Sequence, residues 1–108
     1  MNNQSDFYVI LCSCPDIASA KALACHLVQN KLAGCINIMP SMNSIYEWED
    51  TLVSTEEVLI IIKTHKDKFE ALEGAIKARH PYDVPEIIAL PITTGSQKYL
   101  SWLSLNIG

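Results

Sequence analysis

From Phe7 to Cys14 the chain reads FYVILCSC, a near-continuous apolar run closed by Pro15. Its length and its β-branched and aromatic content suit a buried strand better than a helix. The period then changes. Behind Asp16, a residue type suited to capping a helix, Ile17, Ala20, Ala24, Leu27 and Val28 recur at helical spacing up to Asn30. A first helix with its apolar stripe on a sheet is expected there.

Ala33 to Met39 reads as a second strand interrupted by Pro40, and Ser44 to Trp48 (SIYEW) resumes the extended pattern before the turn-like Glu49-Asp50. The return strand carries Val58 to Ile62 (VLIII), too apolar to have an exposed face, which places it at the centre of the sheet; its outer part, Thr51 to Glu57, is more polar. A bent hairpin arm follows from this pair. Asp67 with Glu70 forms a capping-box pattern for a second helix, striped by Phe69, Leu72 and Ile76 and ending at Arg79-His80-Pro81. Ile87 to Leu90, between Pro85 and Pro91, predicts a fourth strand, and Gln97 to Leu105 a final helix after Gly95.

The resulting order, β-α-β-β-α-β plus a C-terminal helix, is that of an α+β, ferredoxin-like sandwich of split βαβ units, with both principal helices on one face of an antiparallel sheet. Such a fold assigns no function by itself. The chain has no short repeat, low-complexity segment or linker, so residues 7–108 are expected to form a single domain behind a flexible N-terminus of residues 1–6.

Composition narrows the function classes. Hydrophobic residues make up 49% and charged residues 19% of the 108, a globular balance in a chain small enough for a partner subunit to help bury its surface. The net charge is −4, and the eight Lys and Arg are scattered, so no nucleic-acid partner is expected. No apolar run approaches the roughly 18 residues of a membrane span. The opening Met1-Asn2-Asn3-Gln4-Ser5-Asp6 lacks the basic end and apolar stretch of a signal peptide. No membrane partner and a cytoplasmic location are therefore expected. In that compartment Cys12, Cys14, Cys25 and Cys35 stay reduced, which favours metal binding, catalysis or burial over a disulfide framework.

Two segments carry candidate chemistry. His80-Pro81-Tyr82-Asp83-Val84-Pro85-Glu86 is a double-proline loop with an imidazole, a phenol and two carboxylates. It is either a site held between rigid elements or a stiff turn in which His80 caps the second helix. Cys12 and Cys14 are two residues apart on a strand, so their sulfurs share one face at its loop end. They are either a soft-metal pair or small buried hydrophobes. Cys25, in a helix, and Cys35, in an apolar strand, carry less. His26 and His65 have no second ligand at i+4 and read as solvated surface residues. Tyr46 and Trp48 on the arm can stack on a ligand, but a hairpin projecting beyond a small core more often buries such rings against a neighbouring subunit. Signatures of familiar catalysis (a phosphate-cradling glycine run, GxSxG, HExxH, paired CxxC) are absent, and no enzyme is expected.

With LVQNKLAGCINIMP (27–40), SIYEW (44–48), Ile62-Lys63-Thr64, HPYDVPEIIALP (80–91) and YLSWL (99–103) in family order, the chain resembles the CutA family of divalent-cation tolerance proteins. The resemblance spans nearly all of Phe7 to Leu103. It implies a protomer related to the PII signalling proteins, assembled as a homotrimer through edge strands and hairpin arms, with a role in heavy-metal tolerance. The family's cysteine at the end of strand one falls on Cys12, the histidine of its HPY motif on His80 and the glutamate of its PE pair on Glu86, making these three the implied ligands for copper or another divalent metal ion. Some relatives carry a second histidine where Arg79 stands here, and many have Gly-Lys at the arm tip where this chain has Asp50-Thr51. Two classes of function stand open: a metal-binding tolerance protein, and a PII-like adaptor whose inter-subunit clefts bind a small effector or a protein partner. A hydrolase or isomerase using His80 as base ranks third, since no nucleophile accompanies it.

Overall fold

The computed structural model describes residues 6–108, so most of the expected flexible segment, residues 1–5, lies outside the described residues. Asp6 forms an ion pair with Lys66 at 3.1 Å. The elements are β1 (Phe7–Cys14), α1 (Ile17–Gln29), β2 (Cys35–Trp48), β3 (Thr51–His65), α2 (Phe69–Arg79), β4 (Ile88–Pro91) and α3 (Gln97–Leu105). They build one antiparallel sheet of order β2-β3-β1-β4, the ferredoxin-like arrangement expected from the sequence.

The pleat sorts the sheet into two faces. Ile10, Cys12 and Cys14 of β1, with Val58, Ile60 and Ile62 of β3, point to one side. There they pack against Ala20, Leu23 and Leu27 of α1 and Leu72 and Ile76 of α2, all buried. The stripe of α1 is rotated from the expected one, because Leu23 is buried while Ile17 and Val28 stand exposed. Phe7 points to the opposite face, where Leu100 and Leu103 of α3 cover it. Gly34 makes that docking possible, since a Cβ there would lie 2.6 Å from Leu103 Cδ1.

Helix α1 begins as expected, with Asp16 accepting the Ser19 N–H at 2.7 Å. The capping box expected at Asp67 does not form. Instead the His65 ring takes the Asp67 N–H, a single 3-10 turn spans Lys66–Lys68, and α2 starts at Phe69 without a side-chain cap. Nor does Pro40 interrupt β2. A bulge between Met39 and Met42 absorbs one extra residue and the ladder continues to Trp48. Proline is tolerable because β2 is an edge strand, with no neighbour on its outer side to receive an N–H. At the arm tip Glu49 and Asp50 both have positive φ (51° and 63°), the backbone of a two-residue hairpin turn that usually recruits Asn or Gly.

Candidate functional site

β1 ends at Cys14, and the loop from His80 onward crosses that end. Cys12 and Cys14 are 0% and 1% exposed within the helix-covered core. His80 arrives beside them. Its backbone N–H caps α2 through the Ile76 carbonyl at 2.8 Å, while its ring leaves the helix. Nε2 sits 2.6 Å from the Ser13 carbonyl oxygen and Nδ1 3.1 Å from the Tyr82 N–H. A backbone N–H can only donate and a carbonyl only accept, so this partnering assigns the neutral tautomer protonated at Nε2. The two sulfurs and a ring nitrogen of His80 lie within 4.8 Å of one another.

The thiols are not equivalent. Their mutual hydrogen bond, followed by burial and the nearby carboxylates Glu86 and Glu57, holds Cys12 protonated far above the usual thiol range. The same hydrogen bond lowers Cys14, which is therefore the first of the pair to release its proton. In ligand type, two sulfurs and one imidazole fit a soft or borderline ion such as copper or zinc. Holding one requires thiol protons to leave, and His80 to release either the Ser13 carbonyl or the Tyr82 N–H.

Of the three ligands implied by the sequence, the structure brings Cys12 and His80 together and adds Cys14. It sets Glu86 across the strand, where Oε1 lies 3.3 Å from Ser13 Oγ. Ser13 points away from its cysteine neighbours, so Glu86 shares the opposite face of β1.

On that face a cleft of about 600 Å³ opens between the arm and the 80–86 loop. Tyr46, Trp48, Glu57, Tyr82 and Glu86 wall it. Glu57 is only 7% exposed, and its Oε2 accepts the Tyr82 hydroxyl at 2.7 Å. Burial, that bond and the charge of Glu57 hold the Tyr82 phenol protonated above its usual range. The Tyr82 ring also tilts against His80, with centroids 4.8 Å apart, so this one side chain touches both sides of the site. Sequence reasoning missed Glu57 because it stands in the polar half of the return strand and its hydrogen-bond partner lies 25 positions later. His65 also differs from expectation: it is half-buried, edge-on to Phe7 at 5.4 Å, and the expected solvated histidine is a packing residue.

The structure defines a small α+β protein of ferredoxin-like fold with a cluster of two thiols and an imidazole, a candidate metal site, at one end of β1. Residues 8–106 match the model of the CutA1 divalent ion tolerance protein family. The Divalent-cation tolerance protein CutA of Thermus thermophilus is 44% identical over 93% of this chain and 97% of its own length. Protein CutA, chloroplastic, of Arabidopsis thaliana is 50% identical over 88% of this chain, which spans about half (52%) of that relative. The crystal structure of CutA1 from Oryza sativa superposes with a TM-score of 0.92 at 42% identity, covering 94% of each chain. This chain belongs to the CutA1 divalent ion tolerance family.

Proposed function

We propose that this protein binds a copper-like or zinc-like divalent ion through Cys12, Cys14 and His80, and serves metal tolerance as a cytoplasmic homotrimer. The observation that carries the reading is the convergence of two thiols and an imidazole within 4.8 Å on a chain of the divalent-cation tolerance family. Glu86, the third ligand implied by family resemblance, is assigned instead to the cleft across β1.

Trimerisation draws on the part of the sheet face that α3 leaves uncovered. Ile88 and Leu90 are 50% and 49% exposed there, beside half-buried Val9, Leu11, Leu59 and Ile61. Apolar sheet surface and open strand edges need cover, and threefold closure leaves neither exposed. The cytoplasmic placement suits four free thiols, of which Cys25 is exposed. Native mass spectrometry tests these points together. A trimer carrying bound copper or zinc, with ions lost in the Cys12→Ala/Cys14→Ala variant, is expected. A monomer at micromolar concentration contradicts the assembly, and an undiminished ion count in the variant contradicts the site.

A second reading, an adaptor whose cleft binds a small effector, is favoured by the buried Glu57 carboxylate in the wall of a roomy cavity. Catalysis by His80 as general base has less support, because both ring nitrogens are committed to backbone partners.

A further inference from the structure

We infer that the thiol and imidazole cluster selects copper in its monovalent state, copper(I), held in a three-coordinate site by Cys12, Cys14 and His80. This rests on the proposed reading of these residues as the metal site and adds the oxidation state and geometry that the site selects.

The number of donors comes first. Among the described residues, Cys12, Cys14 and His80 are the one group of three or more His, Cys, Asp or Glu whose ligand atoms converge, and the group stops at three. The neighbouring carboxylates are engaged elsewhere. Asp16 caps α1 through the Ser19 N–H, while Glu57 and Glu86 bond Tyr82 and Ser13 on the opposite face of the sheet.

Access comes second. Cys12 and Cys14 are 0% and 1% exposed within a single protomer, in a core cluster shared with Ala20 of α1 and Leu72 of α2. Assembly can only add to that cover. Neither bulk water nor a side chain of a neighbouring subunit therefore reaches the sulfurs to supply a fourth ligand.

These two facts discriminate among ions. Zinc in a closed site typically takes four ligands in tetrahedral geometry, and in an open site it completes its shell with water. Copper(II) prefers tetragonal nitrogen and oxygen donors, and calcium and magnesium take about six or more oxygens. Copper(I) is a soft ion that thiolates select, and it is stable with few donors in a dry site. The imidazole agrees with this choice. To reach the ion, His80 gives up either the Ser13 carbonyl or the Tyr82 N–H, whereas the thiols lose only protons. An ion content with two sulfurs enters before that bond breaks, and the imidazole then completes a trigonal set. Divalent ions enter at lower affinity, as the core opens to admit water.

The test compares copper(I) with zinc(II) on the intact protein in the absence of oxygen, each by competition with a chromophoric chelator, and adds X-ray absorption at the copper edge. One copper(I) per protomer is expected, bound about 100-fold or more tighter than zinc(II), in a shell of two sulfurs and one nitrogen. Silver(I), another soft monovalent ion, should displace it, and Cys14→Ser should weaken it by about tenfold or more. Cys25→Ser should leave affinity and stoichiometry unchanged, which separates the site from the exposed thiol. The absorption spectrum of the parent keeps the test decisive if Cys14→Ser fails to fold. Zinc(II) bound as tightly as copper(I), or a four-coordinate shell containing oxygen, overturns the selection of copper(I) and leaves the metal site in place. If neither ion binds, or if folded Cys14→Ser binds copper(I) as the parent does, both readings fall. Loss of copper(I) in Cys25→Ser assigns the ion to an exposed thiol and overturns both equally.

Discussion

The last three residues of β1 face two environments. Cys12 and Cys14 point into a core closed by two helices, while Ser13 between them points into an open cleft walled by carboxylates and aromatic rings. The covered side packs two soft donors into the core, and the hydrogen bond between them holds Cys12 protonated while lowering Cys14. The open side holds Glu57, nearly as buried, with a phenol for its partner. Strand pleating alone separates these sets by one residue step, so neighbouring positions can serve unrelated chemistry.

The largest effect expected is on the covered side. Ile10→Ala should cost about 2–5 kcal/mol in denaturant unfolding, because Ile10 is fully buried and its removal leaves a cavity among rigid neighbours. Its neighbour Leu11, half-buried on the other face, should behave differently: Leu11→Asp should leave the protomer folded by circular dichroism while dissociating the proposed trimer in sedimentation. Equal unfolding by both substitutions would erase the distinction between the faces.

Next comes the bridge between the two sides. Tyr82→Phe should destabilise by about 1.5–3 kcal/mol, since it strands the buried Glu57 carboxylate, and Tyr82→Phe with Glu57→Gln should recover part of the loss. The phenol also sets an alkaline limit. Tyr82 is raised, mainly by burial, and Tyr99 is pushed up to about 12 by burial and its hydrogen bond with Cys35. A raised acid contributes stability that is complete below its unfolded pKa, about 10 for tyrosine, and lost as pH rises through the folded value. Melting temperature should therefore fall above about pH 10, and less steeply in Tyr82→Phe. An identical alkaline profile in that variant would detach Tyr82 from the effect.

Smaller effects are expected away from the site. Asp50→Gly should gain about 1 kcal/mol by relieving a left-handed backbone at φ 63° without altering either face. Asp16→Ala should lower the melting temperature slightly at neutral pH. The Ser19 backbone bond depresses the Asp16 pKa, so its contribution is present above the unfolded carboxylate value and fades as pH falls through the folded one. The difference between Asp16→Ala and the parent should vanish in acid.

Most of the architecture was legible where one period dominates, as in β1, in the VLIII run of β3 and in the order of elements. Misreadings came where a local signal met a tertiary one. Pro40 reads as a strand breaker, but on an edge strand its missing N–H costs no ladder bond. Asp67 and Glu70 read as a capping box, but the His65 ring claims the Asp67 N–H, a 3-10 turn takes up Lys66–Lys68, and the α-helix starts at Phe69. At the site, the shared face of Cys12 and Cys14 followed from their spacing. The position of Glu86 did not, because it depends on which side of β1 the 80–86 loop passes. Glu57 gave no linear signal, since its hydrogen-bond partner Tyr82 arrives from 25 positions later in the chain.

The central claim, that the sulfur face of β1 is the metal side and the carboxylate face is not, can be tested by the absorption spectrum of the cobalt(II)-loaded protein. Thiolate ligands give cobalt an intense near-ultraviolet charge-transfer band, whereas carboxylates do not. The band should appear in the parent, persist in Glu86→Gln and collapse in Cys12→Ala/Cys14→Ala. A spectrum without thiolate character that changes in Glu86→Gln would move the ion to the carboxylate face and contradict this account.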